Sequence, residues 1–490
     1  MKSHASIASR RNESIHILDD DSLLNIFSHC RRFALDGREF DDFYIFQWRV
    51  WSSERWWYKL VQVCRRWRYL ILGSTFHLRL GLLCTNGTPV ADMLTHAPPL
   101  PLVIDRFHHN TITARDKDNI LLALQHRDRV RHIRLQMPVS DLQSLIVAMD
   151  GEFPMLEYLA IAPPTTGTFY TNLVLPAKFQ ALRLRRLMLL NTTFPVGFPS
   201  LTTPSSVLET LSLKWLRLST FLQPGDLLER LSFLPQLERL QISFDTSVYD
   251  IYGGINISLA STMTQISFPN LRQFIFQGPG EYLEALVPWV EMPLLEKLDI
   301  VCFYQHTSLV PQLLPLLSTT ESFRFTGTTL TFSDMFISVN AHSRRGVRGH
   351  FSYLHSYRGA FDQQVSSAAQ MFDSLGAVFN AVEHLDLEYQ RGRIPLERDP
   401  EVDRTQWRKL LQSFRNVKTL LVDDGPTGEL SRSLPLDHGE SGMDLLPELK
   451  KISYSTYDDG VGSFTAFAAA RKNAGHPVTL VRRCPHRVRD

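Results

Sequence analysis

Between about residues 130 and 455 the chain returns roughly eleven times to one apolar pattern, L-x-x-L-x-L, often with Pro in front. Clear copies are Pro154-Met155-Leu156-Glu157-Tyr158-Leu159-Ala160-Ile161, Pro235-Gln236-Leu237-Glu238-Arg239-Leu240-Gln241-Ile242 and Pro293-Leu294-Leu295-Glu296-Lys297-Leu298-Asp299-Ile300. The first apolar position falls at Val130, Leu156, Leu184, Leu208, Leu237, Leu271, Leu295, Thr320, Val382, Val417 and Leu449. Spacings run from about 24 to 35 residues, with one gap of about 62 after Thr320. A repeat of this length is one supersecondary unit that buries its apolar face only against the next copy. A stacked array is expected, and such arrays mostly bind other molecules.

The pattern also assigns the faces. Side chains alternate along a strand, so the two apolar residues of L-x-L point one way and their neighbours the other. The residue ahead of each pair is His132, Tyr158, Arg186, Thr210, Arg239, Gln273, Lys297, Ser322, His384, Thr419 or Lys451, always polar or amphipathic. A parallel sheet buried on both faces would not keep such a row, so one face is core and the other is wet. Between strands, Ser366 to Asn380 places Met371, Phe372, Leu375, Val378 and Phe379 at helical spacing, and Leu227, Leu228, Leu231 and Leu234 do so more briefly. These features resemble a leucine-rich repeat array of irregular form. The resemblance implies an α/β solenoid over residues 129–481, with a parallel sheet on its concave side. Most copies lack the asparagine that follows L-x-L in that family, so the usual ladder of turn hydrogen bonds must be replaced. The end of the array reads as a helix (Phe464 to Lys472), a turn at Gly475 and a strand at Pro477 to Val481, followed by a basic tail at 482–490.

At 490 residues and 44% hydrophobic, the chain can bury a large core in more than one structural unit. Its 52 basic and 50 acidic side chains leave a net charge of +2, too small a field to recruit nucleic acid or membrane. Cysteines at 30, 64, 84, 302 and 484 form no C-x-x-C pair, which argues against a zinc site or disulfide framework and suits a reducing compartment. Residues 1–14 are polar and lack the apolar core of a signal peptide. No apolar stretch approaches the roughly 20 residues of a membrane helix. A soluble intracellular protein, cytoplasmic or nuclear, is expected.

Ahead of the repeats, after a polar N-terminus at 1–13 that is expected to be disordered, the pattern changes. Asp19, Asp20 and Asp21 open a segment in which Leu23, Ile26, Phe27 and Cys30 lie at helical spacing, with the acids where the helix dipole favours them. A second helix is expected from Trp57 to Leu72, with Leu60, Val63, Cys64, Trp67 and Ile71 on one side and Arg65, Arg66 and Arg68 on the other. The two segments, Leu18-Asp19-Asp20-Asp21-Ser22-Leu23-Leu24-Asn25-Ile26-Phe27 and Leu60-Val61-Gln62-Val63-Cys64-Arg65-Arg66-Trp67-Arg68-Tyr69-Leu70-Ile71, resemble the F-box. With the continuation through Leu80 and Ile104, the similarity is to the F-box proteins of mushroom-forming fungi.

The departures are Asp19, where the family has proline, and an insertion at about 31–56 rich in Phe, Tyr and Trp. The insertion either wraps the local core or offers an aromatic contact patch. The resemblance implies a small all-α module at 14–80 and a connecting segment with solenoid cap at 81–128. It further implies docking on the adaptor Skp1, and through it on a cullin, by Leu18, Leu23, Leu24, Ile26, Phe27, Leu60, Val63, Cys64, Trp67 and Leu70. The plainer alternative is an amphipathic helix pair burying one stripe.

Motifs that carry chemistry do not stand out. The sequence has no nucleophile elbow, phosphate-cradling glycine loop, H-E-x-x-H or calcium-loop pattern. His108-His109 and Cys484-Pro485-His486 lack spaced partners for a metal, and Asp423-Asp424 and Asp458-Asp459 read as loop acids. No cofactor, metal or catalytic residue is assigned. The wet strand face is the candidate contact surface for a protein substrate, with Arg186, Arg239 and Lys297 in its first half and Asp386 and Glu388 in its second. Together with the resemblance, this implies the substrate-recognition subunit of an SCF-type ubiquitin ligase, not an enzyme. The alternative is a repeat-based binding scaffold whose F-box has diverged from the ligase.

Overall fold

The structure, a computed structural model, describes residues 18–35, 56–85, 87–106, 112–163, 175–190, 207–216, 223–245, 265–303, 311–333, 336–343, 349–356, 361–390, 400–434, 445–455 and 463–483. Most of the aromatic insertion, both histidine-containing pairs and Asp458-Asp459 lie outside these residues. The fold is mixed α/β, with helices and a large, mostly parallel sheet. The chain divides into two compact units, the first holding the described residues through Leu182 and the second those from Arg183 onward.

The first unit opens with α1 (Asp20–Leu35), α2 (Trp56–Leu60) and α3 (Arg65–Gly73). Asp19 caps α1, its carboxylate accepting the Ser22 N–H at 2.7 Å and the Ser22 hydroxyl at 3.1 Å. The single helix expected from Trp57 to Leu72 is in fact two. Val61 and Val63 are β-branched and stiff, and Cys64 takes an extended backbone whose Sγ accepts the Trp67 N–H, starting a new helix. Arg68 Nε, donating 3.0 Å to the Val61 carbonyl, holds the break.

Four parallel strands follow, β1 (Leu82–Cys84), β2 (Leu102–Arg106), β3 (Val130–Gln136) and β4 (Tyr158–Ala162), paired in that order. The helices α4 (Val90–His96), α5 (Ala114–Gln125) and α6 (Val139–Ala148) connect them. The segment 81–128, expected to be a connection with a solenoid cap, contributes two strands of its own. Both are buried along their whole length, so they carry none of the alternation that marks the repeats.

In the second unit the repeats become strands with the expected faces. β5 (Arg186–Leu190), β6 (Thr210–Leu216), β7 (Arg239–Phe244), β9 (Gln273–Pro279) and β11 (Lys297–Phe303) pair in parallel. β8 (Ile266–Ser267) and β10 (Val290–Glu291) form a separate two-stranded pair. Further along, β15 (His384–Gln390), β16 (Thr419–Val422), β17 (Lys451–Ser455) and β18 (Thr479–Arg483) are again parallel. The last strand thus runs into the stretch read as a basic tail. Among the helices, α7 (Pro224–Leu231) turns Leu227, Leu228 and Leu231 inward, and α8 (Gly280–Leu286) and α9 (Leu313–Thr319) follow. Then come α10 (Phe361–Phe379), α11 (Pro400–Gln412), α12 (Asp424–Ser433) and α13 (Ser463–Asn473).

The long gap after Thr320 resolves into β12 (Gly327–Ser333), β13 (Phe336–His342) and β14 (His350–Ser356), an antiparallel meander set into the sheet in the order β11-β14-β13-β12-β15. The sheet is accordingly not wholly parallel. The copy read at Thr320 is also out of register, because Gly327 lies opposite His384 and the leading apolar residue is therefore Phe325. Phe323 and Phe325, both buried, imitate the L-x-L pair, but Glu321–Phe323 is a 3-10 turn and Ser322 is not on a strand.

A backbone ladder at the strand starts stands where an asparagine ladder was missing. One carbonyl accepts two consecutive N–H groups of the next strand: Glu209 from Glu238 (2.8 Å) and Arg239 (3.0 Å), Arg272 from Glu296 (2.8 Å) and Lys297 (2.9 Å), Glu383 from Lys418 (2.8 Å) and Thr419 (3.0 Å). The same residues pair by side chain, Arg185 with Glu209, Arg272 with Glu296 at 2.7 Å and Lys418 with Glu383 at 2.7 Å. Each pair is exposed enough to contribute at most about 1 kcal/mol. The backbone bonds carry the stacking.

One core-edge carboxyl is out of balance. Glu284 on α8 accepts the Gln312 N–H at 3.1 Å through one oxygen, while the other is buried without a hydrogen-bond partner. Burial pushes its carboxyl up to about 7, opposed by the Gln312 hydrogen bond. Because the folded value exceeds the unfolded one, the group costs stability as pH rises from about 4.5 to about 7 and imposes the full cost above that. Glu284→Gln is expected to raise the thermal midpoint at pH 8 and to leave it unchanged at pH 4, as read by calorimetry.

Candidate functional site

The helical module divides the ten apolar residues that the sequence could not sort. Leu23 and Phe27 of α1 and Leu70 of α3 are buried, and Phe27 meets Trp67 edge-on with ring centroids 4.9 Å apart. Arg66 locks the two helices from outside, donating to the Leu18 carbonyl at 2.6 Å and to Asp20 at 2.6 Å. Leu18, Leu24, Leu60, Cys64 and Trp67 are half-buried. Ile26 and Val63 are exposed, at 41% and 58%. Leu23, Phe27 and Leu70 hold the module together, while Ile26 and Val63 face solvent. Asp19, the departure from proline, serves as the helix cap, and its carboxyl is held below the usual range by the Ser22 backbone and side-chain hydrogen bonds.

The polar face of the second unit forms one register row. Arg186 lies opposite Thr210, Thr210 opposite Arg239, Arg239 opposite Gln273, and Gln273 opposite Lys297. Across the meander, Lys297 faces His350, His350 faces His342, and Gly327 separates His342 from His384. Strands lie about 4.8 Å apart, so Arg239 and Lys297, two strands apart, are roughly 10 Å from one another. The basic residues share a row without clustering. Gln273 departs from the expected wetness, since it is buried between them.

Charge concentrates further on. Asp299 is held by Lys297 at 3.3 Å and His350 at 3.4 Å. Asp386 and Glu388 stand on the same face of β15, and burial raises both carboxyls. His342 and His384 oppose that rise at Asp386, whereas Asp386 and Asp423 add to it at Glu388. The absent side chain of Gly327 admits the His342 ring, which a Cβ there would meet. The face is thus a polar, hydrogen-bonding surface with serine–glutamine pairs such as Ser212 to Gln241 at 3.0 Å and Ser243 to Gln277 at 2.9 Å.

Among the described residues no group of three or more His, Cys, Asp or Glu side chains is placed to hold a metal ion. Burial pushes the Cys84 and Cys302 thiols up to about 12, which removes their thiolate character. Among the described residues no helix is long and apolar enough to cross a membrane. Compared with known proteins, the chain matches no family model and no curated sequence.

The sequence reading missed two outward aromatic residues, Tyr69 and Phe76, exposed at 81% and 95%. The signal was available for Tyr69. It sits two residues after Trp67, on the side of α3 away from Leu70 and Ile71.

Proposed function

We propose that this chain is the substrate-recognition subunit of an SCF-type ubiquitin ligase. Its N-terminal helices form an F-box that docks on Skp1 and so on a cullin, and its repeats form a leucine-rich-repeat solenoid that binds a protein target. The observation that carries the reading is the split within the helical module. A packed core of Leu23, Phe27 and Leu70 leaves Ile26 and Val63 bare, with Leu24 and Trp67 half-buried. An ordinary helix pair would bury its single stripe. The one-sided polar face of the second unit supports a target surface by the same logic, with Arg186, Arg239, Lys297, Asp386 and Glu388 on it. The chain makes no bond itself; proximity is its contribution.

The test is co-purification of the full chain with Skp1. Ile26→Asp combined with Val63→Asp is expected to weaken the association by about 30-fold or more, each charge being placed in a dry contact. Both positions are exposed, so the circular dichroism spectrum should not change. Failure of the unaltered chain to bind Skp1 would overturn the reading in favour of a binding scaffold with a diverged F-box.

A further inference from the structure

Apart from Arg68, whose Nε bonds the Val61 carbonyl, the outer side of α3 carries features that neither the module's packing nor the proposed adaptor contact uses. With about 100° per residue, Trp67, Leu70 and Ile71 fall on the inward side, and Arg65, Arg68, Tyr69 and Leu72 fall opposite. The side then continues into the turn that presents Phe76. Tyr69 and Phe76 expose 81% and 95% of their surface, more than Ile26 or Val63.

Charge on this stretch is one-sided. From Trp56 through Ala91 the sequence has no Asp or Glu, while Lys59, Arg65, Arg66, Arg68 and Arg79 are all cationic. Arg66 is drawn to Asp20, which leaves the outer side of the helix without a carboxylate of its own.

The turn is also held in place. Leu78 and Leu80 are buried, Leu78 N–H donates to the Ser74 carbonyl at 2.9 Å and Leu80 N–H to the Thr75 carbonyl at 2.9 Å. Between them Arg79 takes a left-handed backbone at φ +48, and Arg131 donates to its carbonyl at 3.1 Å. A non-glycine residue in that region carries strain that persists only when its surroundings enforce it. Here the enforced shape keeps Phe76 outside, so a contact there costs little ordering.

We propose that the outer side of α3 and the following turn form a second docking surface, one that takes a carboxylate-rich protein segment bearing apolar or aromatic side chains. Arginine and exposed aromatic rings are the side chains that dominate protein contacts, and a stretch free of acids complements a negative partner. A membrane is disfavoured because α3 is only nine residues long and buries Leu70 and Ile71, too little free apolar face for an interfacial helix. Nucleic acid remains as a competitor in the test.

The full chain is titrated, by fluorescence anisotropy, with a labelled peptide of Glu, Leu and Trp, its Lys-for-Glu counterpart, a single-stranded oligonucleotide of matched charge, and phosphatidylserine vesicles. Preferential binding of the acidic peptide is expected, weakened about tenfold or more by Tyr69→Ser with Phe76→Ser, and by Arg65→Glu. These side chains are exposed, so unchanged circular dichroism separates lost contact from lost fold. Val63→Asp should leave peptide binding intact while weakening Skp1, which keeps this surface distinguishable from the adaptor contact. The proposal is overturned if the acidic peptide does not bind, if the variants bind it equally, or if the oligonucleotide or vesicles bind as tightly. It is overturned as well if Tyr69→Ser with Phe76→Ser abolishes Skp1 binding, since the surface would then belong to the adaptor.

Discussion

Asp105→Ala should cost the first unit about 3–5 kcal/mol. Asp105 on β2 lies directly opposite Arg134 on β3, with Oδ2 2.9 Å from Nη1, and both side chains are buried. Alanine removes the carboxylate that Arg134 Nη1 bonds and leaves the guanidinium sealed from water, so the penalty is the lost charge partner in a buried site rather than the pair's net worth. Urea unfolding followed by tryptophan fluorescence measures it. Replacing both residues together, Asp105→Leu with Arg134→Met, is expected to recover most of the loss, because a well-packed apolar pair substitutes for a buried ion pair at little cost. A double variant as unstable as the single one would show that the site needs charge, and would sink this account.

Gly349→Ala is expected to destabilise the second unit by about 3 kcal/mol or more, combining left-handed strain with a backbone collision. Gly349 has φ +83, and a Cβ there would run into the Ser322 carbonyl. Backbone cannot step aside as a side chain can. Gly349 also donates to the Glu296 carbonyl at 3.1 Å, in the bond that starts β14 beside β11. Gly376→Ala is the control: that glycine is helical with open space around it, and alanine there should be neutral or stabilising by about 0.5–1 kcal/mol. The thermal midpoint should fall for the Gly349 variant and hold or rise for the Gly376 variant.

The contrast between the two glycines shows what could be read in advance. In the sequence each is one Gly among others, and only the path of the backbone separates them. The residues ahead of each L-x-L pair fared better. Tyr158, Arg186, Thr210, Arg239, Gln273, Lys297, His384, Thr419 and Lys451 each begin a strand, and His132 lies in register with Tyr158. That regularity follows from strand alternation, which needs no tertiary information. The copy at Thr320 failed because two phenylalanines satisfied the pattern while the pairing partner, His384, fixed the frame later in the chain. The module's helix break was obscured for a similar reason. Leu60, Val63, Cys64 and Trp67 keep helical spacing across residues 61–64, although the chain leaves the helix there.

Local order was therefore written in the chain itself: the strand starts, the inward and outward faces, the helices that return the chain, and an acidic cap at Asp19. Periodicity acts over a few residues, and burying one face requires only that neighbours repeat. Tertiary structure alone decided the meander between β11 and β15, the burial of Asp105 and Arg134, and which of ten apolar residues in the helical module stay in solvent. Those outcomes depend on partners distant in sequence, whose contact energies no local pattern records.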